Sequence, residues 1–262
     1  MKKDITVIIT LYKTPIEKLK ALNQYKNYKV IIFAQDEDKY YEGIIKKNTK
    51  IKFKYYFSKR NIGLSKATNY MISKVKTKYF LFTQPDISID EKSIQNLKKA
   101  FKYVDNLIFT GPSYNRKREQ GFQIKTKINA VCMMCDTKKT KKIGFFDNDF
   151  FLFWEDVFLM RKIKMSKFRM LLTKNAIAKH SSGSSSINNV KVLFIRNLNF
   201  KYGEYLYDLK TKRFRLIKLV RQFFQSIIFF VLGSLALNKK FAVKHIAGFL
   251  AIIKFVNFYI KK

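Results

Sequence analysis

Short apolar segments alternate with segments of helical periodicity through the first third of the chain. The apolar segments cover residues 5–10, 29–34, 51–57 and 79–83, and the helical patterns cover about residues 15–23 and 64–75. Apolar runs of this length, rich in β-branched residues, are typical of strands buried on both faces. Strands that alternate with helices at this spacing predict βαβ units and a parallel sheet.

Polar residues follow each of these four strands. They are Thr10 and Tyr12, then Asp36, then the segment Arg60–Gly63, then Gln84 with Asp86. In open α/β sheets, ligands bind beyond the carboxyl ends of the strands. The pattern therefore predicts a binding crevice at this edge, although polar loops after apolar strands are also ordinary.

The middle of the chain carries weaker signals and one unusual aromatic run. We predict a helix over 93–104, strands over 107–110 and 130–135, and a polar stretch to about residue 127. A Gly-Phe-Phe-Asp segment, residues 144–147, precedes the run Phe150–Trp154 and the acid pair Glu155 and Asp156. A helix to about Met165 and a serine-rich loop, Ser181–Ser186, follow.

Charged and apolar residues separate onto two faces from Arg213 onward. At 100° steps, one arc holds Arg215, Lys218, Arg221, Gln222 and Gln225, and the opposite face holds apolar residues from Leu216 to Val231. The longest uncharged stretch, residues 222–238, has 17 residues, which is below the roughly 20 of a comfortable transmembrane span. We predict two basic amphipathic helices in the membrane interface. Packing on the rest of the chain, a dimer and a re-entrant hairpin over 233–240 remain open.

Composition narrows the class of protein, and the placement of charge narrows it further. The 262 residues are 47% hydrophobic and 16% aromatic, which excludes intrinsic disorder. The net charge is +36, and residues 157–262 hold only two acids, Glu204 and Asp208. Such a field attracts nucleic acid, anionic lipid or phosphorylated molecules. A general preference for lysine explains much of the charge, but not the loss of acids after Asp156.

The cysteines and the amino terminus indicate a protein of the cytoplasm. Cys132 and Cys135 form a single C-x-x-C, and the only histidines are His180 and His245, too few ligands for a zinc site. Two thiols in a reducing compartment are the simpler interpretation. Residues 1–4 lead directly into a strand without the apolar region of a signal peptide.

An ordered set of motifs now points to a family. Asp36 follows a strand, Asn61-x-Gly63 precedes a helix that bears Asn69, and Pro85-Asp86 ends another strand. The later motifs are Gly144–Asp147, Phe151-x-x-x-Glu155-Asp156 and Arg161. Over residues 4 to 200 this order resembles the family 2 inverting glycosyltransferases of the GT-A fold, in particular their bacterial rhamnosyltransferase-like branch. We therefore expect a GT-A domain over 1–200 and a membrane-associating region over 201–262.

The resemblance implies a role for each motif residue. Contacts to the nucleotide sugar would come from Thr10, Tyr12, Asp36, Asn61, Gly63, Asn69, Gln84 and Arg161. Asp86 and His180 would hold a divalent cation, Mg²⁺ or Mn²⁺, and Asp156 would be the general base. Trp154 and Glu155 would contact the acceptor. Two departures are Gln84, where relatives can carry the first acid of a D-x-D, and Phe158, where they often carry a second Asp.

The expected activity follows from these roles. A metal-dependent inverting transferase would move a sugar from a nucleoside diphosphate, with dTDP-rhamnose leading and a UDP-hexose as alternative, to a lipid-linked saccharide. It would work as a peripheral protein on the cytoplasmic face of a bacterial membrane, and a homodimer is left open. The rivals are a nucleic-acid-binding protein, for which we find no motif, and an inactive membrane scaffold.

Overall fold

A computed structural model describes residues 2–36, 39–114, 119–181, 185–186 and 189–261. Packing divides the chain into two units. The sheet unit comprises residues 1–147 and 159–187, and the helical unit comprises residues 148–158 and 188–262. This division differs from the expected boundary after residue 200, which falls inside a helix.

The described residues contain nine strands and nine α-helices. The strands are β1 Lys2–Tyr12, β2 Tyr28–Gln35, β3 Lys52–Ser58, β4 Tyr79–Thr83, β5 Ile87–Ile89, β6 Leu107–Ser113, β7 Phe122–Lys125, β8 Cys132–Asp136 and β9 Arg169–His180. The helices are α1 Ile16–Ala21, α2 Tyr40–Asn48, α3 Leu64–Lys74, α4 Glu91–Ala100, α5 Thr137–Ile143, α6 Glu155–Lys164, α7 Val190–Lys210, α8 Leu216–Leu235 and α9 Lys239–Ile260. A short 3₁₀ turn, Leu22–Tyr25, follows α1.

The strands form a mixed sheet in the order β3-β2-β1-β4-β8-β6-β9-β5, and β7 pairs with β9. Strands β3, β2, β1 and β4 are parallel, as predicted. The expectation of a wholly parallel sheet is wrong beyond β4, because β8 is antiparallel to both of its neighbours. Strands β5, β7 and β9 were not predicted.

Strands β1, β2 and β4 are buried on both faces almost throughout, which explains their apolar sequence. Val7 and Ile8 are each 0% exposed, and they belong to different hydrophobic clusters because adjacent side chains of a strand point to opposite faces. Leu19 of α1 belongs to the cluster of Val7, and Met71 of α3 belongs to that of Ile8. The two layers of helices fix the sheet between them.

Phe150 anchors the segment 148–158 to the C-terminal helices. Its side chain is fully buried in one cluster with Tyr205, Leu219 and Phe255. Asp149 accepts a hydrogen bond of 2.8 Å from Lys210 of α7. The segment that carries the acid pair is therefore part of the helical unit, which is why packing does not divide the chain at residue 200.

Helix α8 turns part of its polar side inward. Lys218 lies 2.8 Å from a carboxylate oxygen of Glu204 and 2.7 Å from one of Asp208, and Tyr205 donates a 2.5 Å hydrogen bond to Gln222. Lys218, a member of the predicted basic arc, is therefore engaged by both acids of the C-terminal part within the unit.

The exposed surface of α8 is correspondingly apolar. Of the 22 large hydrophobic side chains exposed among the described residues, 14 lie between Leu216 and Ile260. By length and composition both α8 and α9 could cross a membrane, and little of their apolar stretches is buried. Helix α8 begins before the uncharged stretch of residues 222–238, with residues 216–221, which include Lys218 and Arg221. Length alone is weak evidence for a span, since core helices of other proteins share it.

Candidate functional site

The predicted nucleoside residues lie at two adjacent strand ends of the sheet unit. Tyr12 ends β1 and is paired in register with Gln35, the last residue of β2, so Asp36 follows directly beside it. Lys13 and Asp36 both have positive φ, 47° and 58°, and their side chains approach to 3.7 Å. Thr10 is buried within β1. Sequence reasoning missed Lys13 because it is one of 45 lysines.

The Asn61–Gly63 segment is a turn built by its own side chains. The Asn61 Oδ1 accepts a 2.9 Å hydrogen bond from the Gly63 N–H, and Gly63 has a φ of 89°, which a residue with a Cβ rarely adopts. The Ile62 N–H donates to Oε1 of the buried Gln35 at 3.0 Å. Gln35, which was not predicted, therefore ties this turn to the end of β2.

Asn69 joins helix α3 to the Gly-Phe-Phe-Asp turn. Its Nδ2 donates to the Phe146 carbonyl at 2.7 Å, and its Oδ1 accepts from the Phe146 N–H at 3.2 Å. This pair of bonds holds the turn in place. The predicted contact between Asn69 and the donor stays a prediction.

Strand pairing brings Asp86 and His180 together, although 94 positions separate them. A turn from Gln84 to Ile87 carries Asp86, and Ile87 of β5 lies opposite His180 of β9 in an antiparallel ladder. The Ser181 N–H donates to the Asp86 carbonyl at 3.1 Å. As a result, His180 Nε2 lies 3.4 Å from Asp86 Oδ2.

The Asp86 carboxylate fits a cation ligand. Its side chain is 1% exposed, and neither oxygen has a hydrogen-bond partner among the described residues. A buried carboxylate that accepts no hydrogen bond is costly, and His180 at 3.4 Å offsets its charge only when the imidazole is protonated, so a bound cation would compensate it. Carboxylate oxygen and imidazole nitrogen suit Mn²⁺, and substrate phosphates commonly supply further ligands to such ions. Within the described part of the chain, no group of three acidic, histidine or cysteine side chains could hold a metal by itself.

Tyr114 is an unpredicted neighbour of this pair. Its ring centroid lies 6.4 Å from that of His180, and its buried hydroxyl has no partner among the described residues. Burial raises the pKa of Tyr114 well above its ordinary value, so the hydroxyl keeps its proton and can donate a hydrogen bond. A lone tyrosine after a strand gave no signal in the sequence.

In the helical unit, a left-handed turn presents the acid pair. Phe153 and Trp154 both have a φ of 67°, a conformation that is strained for aromatic residues. Gly203 of α7 packs against this turn so closely that an added Cβ would lie 2.9 Å from Trp154 Cδ1 and 3.1 Å from the Phe153 carbonyl oxygen. Gly203 looked like an ordinary helix glycine in the sequence, and only the structure shows what it accommodates.

Aromatic rings surround Trp154 and Phe158. The Trp154 ring lies 5.8 Å from that of Phe200 and 5.3 Å from that of Tyr207, and its buried Nε1 has no partner among the described residues. Phe158 lies 5.5 Å from the Phe150 ring. The position at which relatives often carry an Asp is thus filled here by part of an aromatic cluster.

Glu155 and Asp156 open helix α6 in a desolvated setting. Glu155 is 5% exposed; its burial, together with the charge of Asp156, raises its pKa to about 8. Burial also raises the pKa of Asp156, whose Oδ1 accepts a 2.8 Å hydrogen bond from the Val157 N–H. At pH 7 Glu155 is therefore mostly protonated, which leaves Asp156 as the member that can act as a base. Both carboxylates are therefore desolvated by the surrounding chain.

Arg161 and Gln84 are the remaining residues that we predicted to contact the nucleotide sugar. Arg161 is half-buried on α6, and Gln84 is half-buried in the turn that carries Asp86. Within the serine-rich loop, residues 182–184 lie outside the described residues. The roles of Arg161 and Gln84 stay predictions.

This fold and these motif positions define a GT-A glycosyltransferase. The sequence profile of glycosyl transferase family 2 matches residues 15–172, more than half of the chain, so the chain belongs to that family. The expected family and fold are confirmed.

Two solved structures show how widely the fold is shared. The mannosyltransferase PcManGT from Pyrobaculum calidifontis, in complex with GDP-Man and Mn²⁺, has a TM-score of 0.58 at 12% identity, over 97% of this chain and 87% of that one. GalNAc-T7 with UDP, GalNAc and Mn²⁺ has a TM-score of 0.54 at 12% identity, over 98% of this chain and 57% of that one. No curated protein matches the sequence.

Proposed function

We propose that this glycosyltransferase is an inverting, metal-dependent enzyme that transfers a sugar from a nucleoside diphosphate to a lipid-linked saccharide. The observation that supports the proposal is the desolvated acid pair at the start of α6, where burial raises the pKa of Glu155 to about 8 and also raises that of Asp156, which makes the ionised carboxylate a stronger base. Direct displacement needs one such base at the acceptor hydroxyl.

The donor would be held by the strand ends of the sheet unit. Tyr12 can cover one face of the base, and Asp36 can accept its imide N–H. Asp86 and His180 would hold the cation, and the Tyr114 hydroxyl can donate to a phosphate oxygen. A bound divalent cation would neutralise charge on the diphosphate leaving group.

The acceptor saccharide would bind at the acid pair, Glu155 and Asp156. Asp156 would take the proton of the attacking hydroxyl, while protonated Glu155 donates a hydrogen bond to a neighbouring sugar oxygen. Trp154 offers an aromatic face and an unpartnered N–H, both suited to a saccharide. The family resemblance favours dTDP-rhamnose as donor and a UDP-hexose as the alternative.

A donor panel tests the activity. Purified protein with Mn²⁺ and lipid-linked acceptors should transfer one sugar from a panel that includes dTDP-rhamnose, UDP-hexoses and GDP-mannose. Asp156→Asn should lower turnover by about 10³-fold, since a positioned base contributes roughly 10²–10⁴-fold. Asp105→Asn, which removes an exposed acid of the sheet unit, should leave turnover unchanged. A wild type inert with every donor would reject the proposal in favour of a scaffold.

We further propose that the protein attaches peripherally to the cytoplasmic face of the membrane through α8 and α9. Support comes from the apolar side chains exposed on α8, which include Phe224, Ile228 and Leu232, and from the absence of acids after Asp208 in the sequence. Exposed Arg215 and Arg221 can pair with anionic headgroups. The alternative to a membrane is a second copy of the chain that packs on the same face in a homodimer.

Vesicle flotation measures separately how the apolar side chains and the arginines contribute to membrane attachment. Phe224→Gln with Ile228→Gln and Leu232→Gln should lose attachment to neutral and anionic vesicles alike, since the binding depends on buried apolar area. Arg215→Gln with Arg221→Gln should weaken attachment to anionic vesicles only. Flotation of the apolar variant at the wild-type level would contradict the proposal, and a stable dimer mass in lipid-free solution would favour the homodimer.

A further inference from the structure

A cavity of about 300 Å³ opens at the amino ends of β1, β2 and β3, within the sheet unit. Its lining includes Lys29 and Lys52, which are neighbours in the β2–β3 ladder, and Lys54, two residues further along β3. Lys74 at the end of α3 and Lys76 in the following loop close the other side. A volume of this size is at the lower end of pockets that hold small ligands.

The lining is far more basic than the chain. Five of its ten residues are lysines and none is acidic, whereas lysine makes up 45 of all 262 residues, about one in six. No acidic side chain among the described residues lies within ion-pair distance of these five lysines. The general abundance of lysine therefore does not explain the concentration here.

The floor of the cavity adds no competing donor. Thr77 donates its hydroxyl proton to the Tyr79 carbonyl at 2.8 Å, so Thr6 must be the donor in the 2.7 Å contact between the two threonine hydroxyls. Neither hydroxyl has a proton left for a ligand. Each lysine ammonium supplies up to three N–H donors and a positive charge, so the five lysines favour an anionic ligand.

We propose that this cavity is a second phosphate-binding site, for a ligand that presents a phosphate group of at least two negative charges. Like charges that line one cavity repel each other, and a bound phosphate would offset that repulsion. The site is separate from the donor site, because Lys29 and Gln35 stand at opposite ends of β2, about 20 Å apart at roughly 3.3 Å per residue. The phosphate can belong to a soluble molecule or to a lipid headgroup.

The test removes charge from the cavity and, in a control, from elsewhere. The cavity variant is Lys29→Gln, Lys52→Gln and Lys54→Gln in the full chain. The control variant is Lys92→Gln, Lys99→Gln and Lys102→Gln, which removes the same charge from exposed lysines in and after α4. All six side chains are exposed, so both variants should fold, and a thermal melt checks this.

Two probes distinguish the two sources of phosphate. Inorganic pyrophosphate, titrated calorimetrically with EDTA present to remove any cation, should bind the cavity variant at least about tenfold more weakly than the wild type or the control. Phosphatidylcholine vesicles with phosphatidylglycerol should float less of the cavity variant than of the control if the phosphate is that of a lipid.

The outcomes are decisive in both directions. Loss of pyrophosphate binding by the cavity variant alone supports a site for a soluble phosphate, and selective loss of flotation supports a lipid headgroup. If the cavity and control variants behave alike with both probes, the lysines are only a solvated surface and the proposal is wrong. Sugar transfer should be the same in both variants, because none of these lysines belongs to the proposed catalytic machinery.

Discussion

The Asp86–His180 pair and the Glu155–Asp156 pair are assembled in different ways. Asp86 and His180, in the sheet unit, are brought together by the regular antiparallel ladder of β5 and β9. Glu155 and Asp156, in the helical unit, follow two consecutive left-handed residues that rest against Gly203. The position of the first pair depends on strand register. The position of the second pair depends on a strained turn that helix α7 holds in place.

This difference indicates which substitutions should disturb each pair. A ladder tolerates changes of side chain at its surface, since backbone hydrogen bonds set its geometry. A strained turn persists only while its surroundings over-determine it. Donor binding should therefore respond mainly to changes in the metal ligands themselves, whereas turnover should also respond to changes in the scaffold behind the acid pair.

Asp86→Asn should have the largest effect on binding. Asparagine keeps the shape of the side chain but removes the charge that would hold a cation, so the gain in donor affinity that Mn²⁺ provides should fall by about 100-fold or more. Calorimetry of donor binding with and without Mn²⁺ measures this gain. Asp105→Asn is the control, and an unchanged gain in the Asp86 variant would show that the cation binds elsewhere.

Gly203→Ala should lower turnover by about 10- to 100-fold, because a small displacement of a catalytic group is costly in rate. The methyl group would collide with the Trp154–Phe153 turn and displace Asp156, while donor affinity stays at the wild-type level. Trp154 is the only tryptophan of the chain, so its fluorescence should change in the same variant.

Gly43→Ala in α2 is the matched control for this experiment. Its added Cβ would meet no atom within 4 Å, so turnover and fluorescence should remain as in the wild type. Wild-type turnover in Gly203→Ala, or a shift in Trp154 emission without any loss of rate, would mean that the turn does not position the base.

Glu155→Gln should change how stability depends on pH. The pKa of Glu155 is about 8 in the folded chain and about 4.5 when unfolded, so the folded state binds the extra proton. Stability from this group is complete below pH 4.5 and is lost as the pH rises through 8, by about 3 kcal/mol between pH 5 and pH 8. Thermal unfolding across this range should show a shallower decline in the glutamine variant; parallel curves would mean that Glu155 is already ionised.

The sequence predicted the parts of the site that follow from strand ends. Four buried strands were visible as apolar runs, and the positions of Asp36 and Asp86 followed from them. His180 was identified by family resemblance alone, because the partially exposed β9 carries lysines and an asparagine that hide its alternation. Its pairing with β5 is a non-local contact that no local pattern encodes.

Other residues that build the site could not be identified from the sequence, for a different reason. Gly203, Gln35 and Tyr114 are common residue types in unremarkable contexts, and their roles depend on atoms far away in the sequence. The sequence showed that α8 has a polar face, but it did not show that part of this face points into the helical unit. A helical pattern shows that two faces differ; only packing shows that Lys218 lies against Glu204 and Asp208.

That inward-facing lysine has a consequence for the outer surface. Glu204 and Asp208 are the only acids after Asp156, and both are engaged with Lys218 within the helical unit. No aspartate or glutamate follows Asp208 in the chain, so α8 and α9 contribute no acidic side chain to this surface. If the helices bind lipid as proposed, adsorption would depend on salt and on the fraction of anionic lipid, and His245 of α9 is the side chain whose charge mild acidification would change.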